Sequence, residues 1–430
     1  MEIARSRIAR LLVVAALTGL SQCGTPRAQA VSPPPIDDRW LPKPGLPAPP
    51  QPTVQREVCA AVTPDPGPGR DRPAYPELAP VWPLTRGAGQ RVAVIDTGVS
   101  RHPRLPNVVP GGDYVSNGDG TQDCDAHGTL VAGIIGGVAP DVTVIGVRQS
   151  SAKFAPAQDR SSTGVGDVDT MAKAVRTAAD LGASVINISS IACVPAGTAL
   201  DDRALGAALA YAVDVKNAVI VAAAGNTGGA AQCPAQPPGA TWQSATVAVS
   251  PAWYDDYVLT VGSVNAEGTP SAFTLAGPWV DVAARGEGVS SLGSAPLSGT
   301  SYATPFVSAL AALVRARFPA FTARQVMQRI SSTAHHPPGG RDPFVGNGTV
   351  DALAAVSTDS IPQAGTERPE ARGHIPTPIS TPPPVTPPDR HARHTALRGA
   401  AICLAALVVA LGLGAARSRL RRARDDVPGD

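Results

Sequence analysis

The segment Ser298-Gly-Thr-Ser-Tyr-Ala-Thr-Pro305 runs straight into the apolar residues 306–314. A glycine-containing turn delivers Ser301 to a helix start. The run from Ala303 to Val314 is apolar on every side, so it predicts a helix enclosed by other elements. Pro305 fits the first turn of that helix, where a missing N–H costs little. A hydroxyl placed there faces unpaired backbone N–H groups, which favour developing negative charge. Many helices begin with Ser or Thr only to cap the backbone, so the weight of Ser301 depends on the rest of the chain.

Upstream, apolar runs alternate with helical ones. Residues 91–95 form a β-branched run ending at Asp96 and followed by Thr97-Gly98, which reads as a strand and a turn. Residues 143–147, 183–189, 218–224, 246–249 and 258–264 continue the strand series. Residues 167–181 are amphipathic: Val168, Met171, Val175 and Ala178 share one face, Asp169, Lys173, Arg176 and Asp180 the other. Residues 201–215 read as a helix, and Thr322 with Gln325 makes a capping box for a last helix through Ser332. Strands apolar throughout, alternating with helices, predict an α/β fold: a doubly wound, mostly parallel sheet with helices on both faces, spanning residues 81–355. The polar loops 149–166 and 227–243 are expected to rim a cleft.

The chain has 430 residues, with 36 Lys+Arg against 34 Asp+Glu. So even a balance points to no nucleic-acid partner. Aromatic residues make up only 4%, so the core must be built from Ala, Val, Leu and Ile. Residues 1–30 have the form of an export signal: Arg5, Arg7 and Arg10, an apolar stretch over 11–20, and small residues at Ala28 and Ala30. Residues 31–80 are a Pro-rich extension, expected to be extended and to wrap or hang. A second Pro-rich linker, 356–397, leads to an apolar segment, 398–416, expected to span a membrane. A basic tail, 417–430, is expected on the cytoplasmic side, opposite the exported bulk.

Cys23 and Cys403 lie in the apolar ends. Cys59, Cys124, Cys193 and Cys233 remain, an even number in an exported region, which favours two disulfides. Cys193 and Cys233 each follow a predicted strand and so reach the same sheet edge, which pairs Cys193 with Cys233 and Cys59 with Cys124. No metal-ligand spacing is present, and neither a metal nor any other cofactor is expected.

Three short motifs fall at strand ends or helix starts, where open α/β sheets place their sites. They are Asp96-Thr-Gly98, His127-Gly-Thr129 and Gly299-Thr-Ser301. A serine hydroxyl needs a base within hydrogen-bond reach to attack a carbonyl. His127 has the pKa to take that proton and return it. Asp96 would orient the imidazole and stabilise the imidazolium. Asn226, at the end of the strand through Ala224-Gly225, would donate its amide to an oxyanion, with the N–H of Ser301 as second donor. The chain order Asp, His, Ser is the subtilisin order, not the Ser, acid, His order of lipase-like hydrolases.

With these motifs in order, residues 90–350 resemble the subtilases, the subtilisin-like serine peptidases. The layout is similar to that of the mycosins, membrane-anchored subtilases of type VII secretion systems. The likeness is carried by Thr85-Arg-Gly-Ala-Gly-Gln90, Val147-Arg-Gln-Ser-Ser151 and Val185-Ile-Asn-Ile-Ser189, together with the export signal, the Pro-rich extension and the apolar C-terminal segment. It implies a surface-held endopeptidase acting on polypeptide substrates and associated with a type VII secretion membrane complex. The competing reading is a structural subunit of that complex with an idle or occluded site. Where many subtilases carry glycine beside the specificity pocket, this chain has Ile188-Ser-Ser-Ile191, and residues 31–80 are too Pro-rich for a folded pro-segment.

Three lesser signals remain. Asp113, Asn117, Asp119, Asp123 and Asp125 lack the closing Glu of an EF-hand and read as a solvated acidic loop. His335 and His336 are expected at the surface, and Trp242 and Trp253 as packing residues.

Overall fold

The computed structural model describes residues 31–357, apart from 61, 63–74, 106, 160, 163 and 230–232. The expected export signal, membrane segment and basic tail lie outside the described residues. Among the described residues, no helix is long and apolar enough to cross a membrane.

In chain order the elements are β1 (Thr53–Gln55), β2 (Arg91–Asp96), β3 (Val108–Asp113), α1 (His127–Val138), β4 (Thr143–Arg148), β5 (Phe154–Pro156), α2 (Val168–Asp180), β6 (Val185–Ile188), β7 (Ala192–Pro195), α3 (Arg203–Ala210), β8 (Val219–Ala223), β9 (Val247–Ser250), β10 (Val258–Val264), β11 (Val282–Arg285), α4 (Thr300–Arg317), α5 (Ala323–Ser332) and α6 (Ala352–Ser357). Seven strands form one sheet in the order β11-β10-β8-β6-β2-β4-β3, with every neighbouring pair parallel. The chain fills one side of β2 with β4 and β3, then crosses to fill the other. That reversal opens a crevice at the carboxyl end of β2, where Asp96 sits.

Strands β8 and β10 are buried along their whole length, as expected of a sheet covered on both faces. Helix α4 lies against that sheet and against α1. It is buried from Thr300 to Val314 except at Tyr302. The helix begins three residues earlier than the apolar run suggests, so Pro305 falls in the second turn. Its missing N–H therefore leaves the carbonyl of Ser301 without a helical donor. The hydroxyl of Ser189 takes that place, donating to Ser301 O at 3.0 Å.

Other elements also depart from expectation. Residues 246–249 do not extend the main sheet; β9 pairs antiparallel with β7 in a small separate sheet. An apolar run announces a strand but not which sheet takes it. Strand β3 escapes sequence reading because Pro110, Gly111 and Gly112 look like breakers. It is tolerated as an edge strand, with its register shifting between Pro110 and Gly112. The helix expected over 201–215 is α-helical only to Ala210 and continues as a π-turn from Tyr211 to Val215. The capping box of α5 forms between Thr322 and Gln325, and α2 has one between Asp167 and Thr170.

The described part of the N-terminal extension lies along the domain. Val31 donates to Trp242 O at 2.9 Å, Trp40 stacks under Arg203, and β1 pairs antiparallel with β5. Both expected disulfides form, Cys59–Cys124 and Cys193–Cys233. The first fastens the extension beside α1.

Candidate active site

Strand β2 carries Asp96 to the carboxyl end of the sheet, where its carboxylate is fully buried. Oδ1 accepts the N–H of Thr97 at 2.7 Å and lies 2.7 Å from His127 Nδ1. A carboxylate facing Nδ1 keeps a proton on that nitrogen and leaves the lone pair on Nε2. Glycines make this approach feasible. Gly98 has φ +104° and a Cβ there would overlap Gln122 O, while a Cβ on Gly128 would overlap Gly98 O and come within 3.0 Å of Asp96 Cβ. Burial opposes a charged imidazole, but the carboxylates of Asp96, Asp123 and Asp125 outweigh it and hold the His127 pKa above its usual value.

Ser301 stands in the first turn of α4 and is 9% exposed. Tyr302 beside it packs its ring on His127, with centroids 5.3 Å apart. Asn226 follows β8 and turns its Oδ1 to the N–H and hydroxyl of Thr300, at 2.9 and 3.0 Å. With the oxygen so engaged, Nδ2 is free to face the opposite way. A Cβ at Gly299 would sit 3.1 Å from Ser301 Oγ and 3.6 Å from Asn226 Nδ2. Hydroxyl and amide thus edge one small space, which glycine keeps open.

A model described as the subtilase family matches residues 87–357. The chain is 69% identical to mycosin-4 of Mycobacterium tuberculosis (strain ATCC 25618 / H37Rv) over a gapped alignment of length 459, covering 99% of each chain. The chain belongs to the subtilase family. Within that family its likeness is to mycosins, and it is a serine endopeptidase. Among solved structures it is similar to the MycP3 protease from the type VII (ESX-3) secretion system, at 44% identity and TM-score 0.70 over 76% of this chain and 100% of that one. It is similar also to a chain of an intact ESX-5 inner membrane complex, at 39% identity and TM-score 0.70 over 90% of this chain and 100% of that one.

Sequence reasoning missed several groups that hold this subtilase site together. Asn187 interrupts the apolar strand β6 and is fully buried. It accepts from Ser308 Oγ at 2.8 Å and donates to Ser189 Oγ at 2.9 Å, so a polar relay fixes α4 to the sheet beneath Ser301. A lone Asn within Val185-Ile-Asn-Ile188 was the available signal, since a buried amide must find partners.

The acidic segment is not a solvated loop. Asp113 is buried, accepts the N–H groups of Val115 and Ser116 at 2.7 Å, and pairs with Arg148 at 3.5 Å. Asp125 accepts from Ala152 N at 2.8 Å, whereas Asn117 and Asp119 do face solvent, and Asp119 caps Thr121. Trp253 donates to the buried Asp202 at 2.8 Å, and Trp242 packs on Trp279. His335 is exposed.

The loop over 149–166 pairs through β5 with the extension. With α2 it also lines a cavity of about 190 Å³, bounded by Ser150, Val168, Met171, Ile191, Leu205 and Pro251. Ser190 and Ile191, from the segment Ile188-Ser-Ser-Ile191, line this cavity.

Proposed function

We propose that this endopeptidase cleaves polypeptides with Ser301 as nucleophile, His127 as general base, Asp96 as its orienting carboxylate and Asn226 as oxyanion donor. His127 Nε2 takes the hydroxyl proton as Ser301 Oγ attacks the scissile carbonyl carbon. The carbonyl oxygen gains negative charge and receives the Asn226 amide and the Ser301 N–H. The imidazolium then protonates the departing amine, and a water activated by the same nitrogen releases the acyl group. One observation carries this reading: the Asp96–His127 pair at 2.7 Å lies beside a helix start where hydroxyl and amide share one space. The cavity beside Ile191, where Val168, Met171, Leu205 and Pro251 stand among polar groups such as Ser150 and Asp167, supports a substrate with an apolar residue near the cut.

The domain acts outside the cytoplasm, anchored by the apolar segment 398–416 after export through residues 1–30, and works at a type VII secretion membrane complex. The composition of those segments supports this, as does similarity to a chain of the ESX-5 inner membrane complex. An organophosphonate serine probe tests the chemistry: mass spectrometry finds the adduct on Ser301, and Ser301→Ala abolishes it. An adduct elsewhere overturns the assignment. The scaffold reading is separated by the same variant in cells, since a purely structural subunit keeps secretion running when Ser301 is lost.

A further inference from the structure

Helix α1 begins without a cap of its own. Its N-cap, Ala126, has a left-handed φ of 68° and no side-chain hydrogen bond, so the first N–H groups of the helix need partners elsewhere. The N–H of Gly128 goes to Thr97 Oγ1 at 3.0 Å, and that of Thr129 to Asp123 Oδ2 at 2.8 Å. Thr97 in turn donates its hydroxyl to Asp123 Oδ1 at 2.9 Å. The turn that follows Asp96 and the helix that begins with His127 are therefore tied to one carboxylate.

Asp123 accepts further bonds from the N–H groups of Asp125 and Ala126, at 3.0 and 2.8 Å, and from the Thr129 hydroxyl at 2.6 Å. Every donor comes from a residue within three of Asp96 or of His127, on either side of the imidazole. The neighbouring Cys124 is fixed to Cys59, so the loop is held from both ends. We infer that Asp123 is a positioning residue for hydrolysis, joining the Asp96 turn to the His127 helix start and so setting where the imidazole stands between Asp96 and Ser301.

This inference rests on the reading of Asp96, His127 and Ser301 as the catalytic set. Its weight comes from the geometry of the donors. Oδ1 takes three of them and Oδ2 takes two, so an amide in place of the carboxylate would turn N–H against N–H on one side. Asparagine, although isosteric, cannot satisfy this site. The carboxylate has a second effect, since it is one of three that favour the protonated imidazole. The groups facing His127 are Asp96 from β2, Asp123 and Asp125 from the preceding loop, and Tyr302 from α4. The Tyr302 hydroxyl, its pKa pushed up to about 12 by burial, stays neutral and adds no charge at working pH.

The test measures the rate of organophosphonate labelling of the full-length chain against pH for wild type, Asp123→Asn, Thr97→Val and Asp119→Asn, with a thermal melt on each. For Asp123→Asn the saturating rate falls about 100-fold, the size expected of a misplaced catalytic group. The probe concentration for half-saturation stays unchanged, because both Asp123 oxygens are engaged by donors within the protein. The acid limb of the profile also moves to lower pH. Thr97→Val removes the tie but no charge, so its rate falls while the acid limb stays in place. Asp119→Asn, a solvent-facing acid of the same loop, changes neither. Ser301-dependent labelling at wild-type rate in folded Asp123→Asn, or in folded Thr97→Val should Asp123→Asn fail to fold, overturns the inference. Wild-type labelling that does not depend on Ser301 instead overturns the catalytic assignment beneath it.

Discussion

Asn226 Oδ1 accepts both the main-chain N–H and the hydroxyl of Thr300, and this pair of bonds decides which end of the amide faces Ser301. An amide oxygen held by two donors cannot exchange places with its nitrogen without setting N–H against N–H. For the oxyanion role proposed for Asn226, this means a donor aimed before any substrate arrives, where electrostatic stabilisation gains most.

Asn226→Ala is expected to lower kcat about 100- to 1,000-fold with little change in KM, since the bond forms fully only to the oxyanion. Thr300→Val leaves the main-chain N–H in place and lowers kcat less. Steady-state hydrolysis of a peptide ester measures both. Equal losses in the two variants would mean that Thr300 acts in some other way than by orienting Asn226.

The proposed mechanism needs neutral His127, so kcat/KM is expected to rise as pH climbs through the imidazole pKa. Burial works against the imidazolium but the surrounding carboxylates outweigh it, so the acid limb lies at higher pH than for an ordinary histidine. The same upward shift stabilises the folded chain below the unfolded histidine pKa, and that contribution is lost as pH rises through the folded value. A pH–rate profile with its acid limb at or below the ordinary histidine value contradicts this.

Gly128→Ala places a methyl group against Gly98 O and Asp96 Cβ. The backbone must yield, because neither neighbour is a flexible side chain, and α1 moves away from Asp96. Labelling of Ser301 is expected to fall about 100-fold, with a lower melting temperature. Gly339→Ala, where a Cβ meets nothing within 4 Å and the backbone is not left-handed, is the control and should leave labelling intact.

The disulfides close spans of 65 and 40 residues. Loop entropy separates such lengths by less than about 0.5 kcal/mol, so removing either bridge should cost a similar amount, about 2–5 kcal/mol. Denaturant titration of Cys59→Ser and Cys193→Ser measures this. Loss of Cys59–Cys124 should also slow labelling, because Cys124 adjoins the loop before His127. A stable Cys59→Ser variant that labels normally would show that the extension does not support the site.

Much of this was legible in the chain. Asp96 ends a strand, and His127 and Ser301 lie at helix starts, in elements whose apolar pattern is plain, and the order of the motifs is the one expected of the subtilase family to which the chain belongs. The acidic segment was misread because Asp113 and Asp123 look like any polar loop residues. Their roles depend on N–H groups that face them only after the chain has turned back. Strand β3 was hidden by Pro110 and its glycines, which an edge position tolerates. Strand β9 was visible as a strand but not as the partner of β7.

The sequence by itself determined five of the seven strands of the main sheet, the parallel α/β architecture, the cysteine pairing and the chain order of the three motifs. These follow from periodicity, from chain order and from what each side chain can donate or accept. Only the tertiary structure decided that Ser189 takes the carbonyl freed by Pro305, that Thr300 aims Asn226, and that Asp123 binds the turn after Asp96 to the start of α1. Each of those depends on hydrogen bonds between segments far apart in sequence, and their direction and length exist only once the sheet has brought the segments together.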